Sequence, residues 1–228
     1  MKRWISIILS LLIIFTFTAC GNEQTREASE GTKSKETKGF SEQIKGSSTN
    51  QQTERKTLIA YFSLADIVPE YADAVSSATP ALGNTQSAAM EIQSQVGGDL
   101  FAIKTVQVYP SSHQECSSIA GDEMQKDARP ELATHVENME DYEIVYIGYP
   151  IWWYIEPMAI RTFLEEYDFS GKTVIPFCTT LGAGIKESQG NIASLARGAT
   201  ILNGITLRTE NQEVCDDISE WLSDIGMK

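Results

Sequence analysis

The hydrophobic positions of this chain fall into three regimes. Between 4 and 19 they run almost unbroken behind Met1, Lys2 and Arg3. Between 22 and 56 they nearly vanish: Ser, Thr, Glu, Gln, Lys and Gly dominate, and Phe40 and Ile44 are the only large apolar residues. From 57 onward short apolar runs alternate with stretches of helical period, as strand and helix do when they follow one another.

That third regime resolves into ten elements. Residues 57–63 (TLIAYFS) read as a first strand, and Gly83-Asn84-Thr85 opens a helix with Ala88, Ala89, Ile92 and Val96 on one face, stopped by Gly97-Gly98. A second strand is predicted over 99–108 and a helix over 114–128, closed by Arg129-Pro130. The run 144–148 (IVYIG) is apolar on both alternating faces, as a doubly covered parallel strand requires, and Pro157 stands at the first turn of the helix that follows. A fourth strand is predicted over 173–178, a helix near 191–197 and a fifth strand over 200–207. The closing helix carries Val214, Ile218, Trp221, Leu222 and Ile225 at helical spacing, which assigns Trp221 to the core. Five strands alternating with helices imply an α/β fold, a doubly wound five-stranded parallel sheet with right-handed crossovers in the order 2-1-3-4-5.

The first regime reads as an address. A basic start and a short apolar core describe a secretory signal over 1–20. The sequence Thr18-Ala19-Cys20-Gly21 resembles the bacterial lipobox, in which the chain is cut before the Cys and the Cys is lipidated. Cys20 is therefore the expected lipidation site, and the chain is expected to sit on the outer face of the cell membrane, held by a lipid anchor alone. Residues 21–56 cannot build a core and read as a disordered linker. A flexible chain of that length spans about 30–35 Å. The region 57–228 is expected to be one domain.

Charge deepens the division. The chain carries 18 basic and 31 acidic residues, and 25 of the acidic but only 9 of the basic ones lie from 57 onward, a net −16 for the domain. Such a field excludes nucleic acid as a partner and favours a protein with a basic docking face, or serves solubility alone. With Cys20 assigned to lipid, Cys116, Cys178 and Cys215 form neither a disulfide framework nor a zinc site, and two histidines, His113 and His135, supply no metal centre. Cys178 reads as a small apolar residue buried at a strand end.

Candidate chemistry gathers at the carboxyl ends of the strands, where open α/β sheets bind ligands. The first strand ends in Ser63, and its connection delivers Gly83-Asn84-Thr85 at a helix start. Hydroxyls and free N–H groups there suit a phosphate, although an ordinary helix cap explains them equally. The third strand supplies Pro150, Ile151, Trp152, Trp153 and Tyr154 between two prolines; either a flat aromatic ligand stacks on these rings or a partner covers them. The fourth supplies Thr179, Thr180, Leu181, Gly182, Ala183 and Gly184, where glycines permit close backbone approach. One anion cradle and two walls for a flat ring, on one rim, make a pocket for flavin mononucleotide (FMN).

The same residues carry a resemblance. Ala60-Tyr61-Phe62-Ser63, Gly83-Asn84-Thr85, the Tyr-Pro-Ile-Trp-Trp loop and the run 168–177 (DFSGKTVIPF) are similar to the flavodoxin family, in particular its group with a Tyr-Pro-Ile-Trp-Trp loop, over about 58–222. The resemblance implies that Ser63, Asn84 and Thr85 hold the phosphate of FMN. Pro150, Ile151, Trp152 and Trp153 would then run beside the isoalloxazine, with Thr179, Thr180, Gly182 and Gly184 at its other edge. Two departures stand out. Residues 64–82 intervene where the family runs directly into its phosphate loop, so Thr79 becomes a further candidate hydroxyl ligand. Tyr154 stands where Gly commonly follows the Trp pair.

The function implied is electron transfer by bound FMN, with no residue needed as general acid or base. The redox partner would be a protein or a membrane electron donor. Two other readings compete. One is an FMN-dependent reductase passing electrons from NAD(P)H to a quinone or small acceptor; the other is a binding module that kept the fold and lost the cofactor. No Gly-x-Ser-x-Gly elbow supports a hydrolase built on Ser63.

Overall fold

The computed structural model of the protein describes residues 55–67, 83–208 and 214–228. The signal segment with Cys20, the linker up to 54, and Thr79 lie outside the described residues. The expected sheet is present. Strand β1 (Thr57–Tyr61) is flanked by β2 (Asp99–Ala102) and β3 (Ile144–Pro150), and β4 (Thr173–Thr180) follows β3, all in parallel register. Beyond β4 come β5 (Thr200–Ile201) and β6 (Ile205–Arg208), both paired to it, so the order is 2-1-3-4-5 with β6 continuing the fifth position.

The expected single fifth strand is thus interrupted, and Pro176 supplies the reason. Thr173 pairs with Thr200, but Phe177 pairs with Ile205, so one extra residue is accommodated opposite Ile175 and Pro176. A proline has no N–H to give the ladder, and a bulge at that point absorbs the mismatch. The freed Gly204 N–H donates instead to Gln189 Oε1 at 2.9 Å.

Helices cover both faces. They are α1 (Leu64–Ile67), α2 (Asn84–Val96), α3 (His113–Gln125), α4 (Met158–Glu166), α5 (Lys186–Leu195) and α6 (Val214–Asp224). One core, under α3, α4 and α5, contains Leu58, Phe62, Val145, Tyr149, Phe163 and Cys178; the other, under α2 and α6, contains Ile59, Ile92, Tyr146, Phe177 and Trp221. Strands β1, β3 and β4 therefore bury both faces, which is why their sequences are runs rather than alternations. Cys178 and Trp221 are buried as expected, and burial raises the Cys178 thiol to about 11, a hydroxyl contact from Thr206 acting the other way.

Three boundaries differ from the sequence expectation. Strand β2 ends at Ala102 rather than 108, because the chain then turns to residues 131–134: Val106 N–H donates to the Glu131 carbonyl at 2.9 Å and Ala133 N–H to the Lys104 carbonyl at 2.7 Å. Helix α3 stops at Gln125, before Asp127 takes a left-handed φ of 46°. Helix α5 starts five residues earlier than its apolar spacing indicates, because a polar first turn carries no periodic signal.

Among the described residues no helix is long and apolar enough to cross a membrane.

Candidate functional site

Ser63 closes β1 at the sheet's carboxyl edge. It is 3% exposed, and among the described residues its hydroxyl has no hydrogen-bond partner. Gly83 faces it so closely that a Cβ there would stand 2.2 Å from Ser63 Oγ, so any side chain at the cap of α2 would have to displace that hydroxyl. No side chain caps this helix, and its first internal bond is Ser87 N–H to the Gly83 carbonyl. The N–H groups of Asn84, Thr85 and Gln86 therefore lack intrahelical acceptors, and Asn84 is exposed beside them. An orphaned buried hydroxyl next to an uncapped helix start is a site that a phosphate oxygen satisfies.

Thr85 plays a different part from the one expected. Its side chain is buried, and its hydroxyl lies 2.8 Å from that of Thr179 at the end of β4. It ties the start of α2 to the end of β4 and does not line the cleft.

The aromatic loop is a tight hairpin. Trp152 N–H donates to the Ile155 carbonyl at 2.9 Å and Ile155 N–H to the Trp152 carbonyl at 3.1 Å. Trp153 and Tyr154 form the two-residue turn, with φ of 47° and 72°. Both central residues of such a turn need positive φ, which Asn and Gly adopt at little cost and bulky residues do not. Glycine would meet the demand of this position at lower cost than Tyr154 does.

The two indoles are fixed separately. Trp152 packs edge-on against Phe62 (centroids 5.3 Å apart) and Tyr109 (5.2 Å), so its ring is an extension of the core. Trp153 is 48% exposed, and its Nε1 donates to the Ser117 carbonyl on α3 at 2.8 Å. Its ring lies over Gly121, where a Cβ would come within 3.1 Å. Glu156, just past the turn, is 1% exposed and accepts from Arg161 Nε at 2.7 Å and from Asn191 Nδ2 at 3.1 Å. Arg161 reaches on to Asp127 at 2.9 Å. The hairpin is thus anchored to α3, α4 and α5 at once.

Between these parts lies an open cleft of about 590 Å³. The hairpin residues Pro150, Ile151, Trp152, Trp153 and Tyr154 form one side, and Thr179, Thr180, Leu181, Gly182 and Ala183 form another. Asn84 and Leu64 close the end next to Ser63. Gly182 leaves open space where a side chain would project, and its N–H donates to Thr180 Oγ1 at 3.0 Å. Gly184 does not line this cleft. It borders a neighbouring one with Tyr154, Lys186 and Glu187, because the chain turns away toward Thr206 after Ala183.

A further wall has no counterpart in the sequence reading. His113, Cys116, Ser117 and Ala120 line the cleft from α3, at the i, i+3, i+4, i+7 spacing of one helix face. That spacing was open to view, but a stripe of small and polar residues does not announce a core face. Beneath it, Tyr109 donates to Glu123, with 3.0 and 2.9 Å to its two oxygens. Burial, then the Glu123 charge, raises the Tyr109 phenol far above its ordinary range. Burial also raises the Glu123 carboxyl, with the Tyr109 hydrogen bond opposing it, and raises the Cys116 thiol, with the Glu123 charge adding to it. Among the described lining residues, the Cys116 thiol is therefore not an activated nucleophile.

The comparisons with known proteins agree with this geometry. A protein of Bacteroides uniformis ATCC 8492, provisionally assigned as a flavoprotein, is 29% identical over 74% of this chain and 98% of its own, with a TM-score of 0.60. A similarly assigned protein of Bacteroides eggerthii DSM 20697 is 31% identical over 76% of this chain and 99% of its own, with a TM-score of 0.58. A flavoprotein of Lactobacillus acidophilus NCFM, solved in complex with FMN, shares the fold at 23% identity over 72% of this chain and 99% of its own, with a TM-score of 0.53. No curated protein matches the chain. A flavodoxin family model matches residues 74–225, and the chain belongs to the flavodoxin family.

Proposed function

We propose that the cleft binds FMN and that the domain is an electron carrier, tethered by lipid at Cys20 to the outer face of the membrane. The observation that carries the FMN reading is Ser63: a buried hydroxyl without a partner among the described residues, beside an uncapped helix start, and next in sequence to Leu64, which with Asn84 lines one end of an aromatic-walled slot. Bound FMN would supply the electron exchange, and the remaining work belongs to this chain. Ser63, Asn84 and the first N–H groups of α2 would hold the phosphate. Trp152, backed by Phe62 and Tyr109, and Trp153, backed by α3, would bound the ring system. The backbone of 179–182 would approach its edge, with Gly182 leaving the space.

Among the described residues the cleft lining contains neither Lys nor Arg. A second phosphorylated cofactor such as NADPH has no cation to dock on there, which favours a carrier over a reductase. The linker would let the acidic domain meet a basic partner or a membrane donor above the surface. Titrating purified protein with FMN, following flavin fluorescence, tests the site. Tight quenching at one equivalent, reduction in two spectrally separate one-electron steps, and no oxidation of NAD(P)H are the expected results. Rapid NAD(P)H turnover would replace the carrier with a reductase. A folded protein that ignores FMN would leave a cofactor-free binding module.

A further inference from the structure

Two residues beside the cleft break the local rules of their elements, and one contact accounts for both. Gly121 stands in the body of α3, where glycine weakens a helix relative to alanine. It is buried and takes no positive φ, so the backbone itself does not demand a glycine there. Trp153 stands at a left-handed φ of 47°, where a bulky residue is strained. The two meet face to face. The indole Nε1 donates to the Ser117 carbonyl at 2.8 Å. In a regular α-helix that carbonyl serves the N–H four residues on, which is Gly121's own. A Cβ on Gly121 would stand 3.1 Å from both Nε1 and Cε2 of the indole and 3.3 Å from Cζ2. The missing side chain leaves the carbonyl open to the ring. Local choices that cost stability and serve one contact mark a functional constraint.

Resting on the FMN reading of the cleft, we infer that Gly121 is a positioning residue for the flavin: by letting the indole seat on Ser117, it holds Trp153 as a wall of the slot before the cofactor arrives. A wall fixed in advance spares binding the cost of ordering a large side chain. Exposure creates the need for such a seat. Trp152 packs against Phe62 and Tyr109, but Trp153 is 48% exposed. The paired hydrogen bonds of Trp152 and Ile155 fix the turn's backbone, and the seat on α3 fixes the ring.

The role separates affinity from stability. In Gly121→Ala the helix gains propensity, and without FMN the half-exposed ring can yield toward solvent by the few tenths of an ångström that the new methyl requires. Seating FMN then calls the ring back against that methyl. Three readings would be taken on the purified wild type and Gly121→Ala proteins. These are exchange of the Trp153 indole N–H by NMR and the urea midpoint, both without FMN, and the FMN dissociation constant by flavin fluorescence. Indole exchange should quicken and the midpoint should hold or rise. FMN should bind at least about fivefold more weakly, the low end of an overpacking cost. In a Trp153→Leu background, with no indole to displace, Gly121→Ala should change the dissociation constant by less than about twofold. A single variant that unfolds where the double variant folds would place the conflict at the indole all the same. An unchanged affinity in the single variant, or an equal loss in both backgrounds, overturns the role of Gly121. A wild type that leaves FMN unbound overturns the cleft reading instead, and the positioning role falls with it; indole exchange, read without FMN, tells the two failures apart.

Discussion

The hydroxyls of Thr85 and Thr179 lie 2.8 Å apart, both buried, and join the start of α2 to the end of β4. They couple one end of the cleft, at the start of α2, to the loop that follows β4. Replacing Thr179 by Val keeps the shape and removes one partner, stranding the other hydroxyl in the interior. The expected cost is about 1–3 kcal/mol in urea unfolding, with weaker FMN binding. Unchanged stability and affinity would show that the pair merely fills space.

Tyr154 occupies a left-handed turn position at φ 72° and is 71% exposed, so it carries strain with little burial in return. A side chain in that region costs about 1–2 kcal/mol, part of which is offset because glycine loses roughly 0.5–1 kcal/mol more backbone freedom on folding. Tyr154→Gly should therefore raise the stability of the FMN-free protein by about 0.5–1 kcal/mol, read as a higher urea midpoint. A lower midpoint would mean that the ring makes contacts that outweigh the strain.

Glu156 has a fully buried side chain that depends on Arg161 and Asn191 for its hydrogen bonds. Removing one partner of a buried ion pair leaves the other uncompensated, at a cost of about 3–5 kcal/mol. Arg161→Leu should lose stability on that scale and loosen the hairpin, seen as increased solvent access to Trp153. Arg161→Lys should recover only part, since an ammonium cannot span from Glu156 to Asp127 as a guanidinium does.

Acid should unfold the domain partly through the charged cluster at the end of α3. Hydrogen bonds from Arg129 hold both the Asp127 and the Glu165 carboxyls below their ordinary range. A depressed carboxyl stabilises the fold above its unfolded pKa and stops doing so as pH falls through its folded one. Melting temperature should thus drop below about pH 4, the ordinary range of these side chains, and Arg129→Gln should flatten that drop. Both carboxylates are largely exposed, so solvent screening keeps the effect small.

The sheet was legible because its central strands are buried on both faces. Ile144, Val145, Tyr146 and Ile147 cannot be mistaken for a half-exposed alternation, and three such runs, each separated from the next by a helix, leave few topologies. The fifth strand misled because Pro176, which breaks its pairing, lies on the neighbouring strand, out of reach of any local reading. At the site, Asn84, Trp152 and Thr180 were visible as loop residues at strand ends. The α3 wall was not, because His113 and Ser117 are polar and Cys116 and Ala120, which line the cleft and are buried, are too small to stand out as an apolar face. Thr85 drew attention for its hydroxyl, but its contact is with Thr179, 94 residues away, which no local reading could supply.

The indole of Trp153 walls the cleft with one face and, through Ser117 and Gly121, clasps α3. Widening the slot by moving Trp153 would break its hydrogen bond to Ser117 or carry α3 with it, and the consequence is kinetic. Flavin should associate no faster than α3 breathes, and once seated it should slow amide exchange along the 115–121 turn of the helix more than in α6 across the sheet.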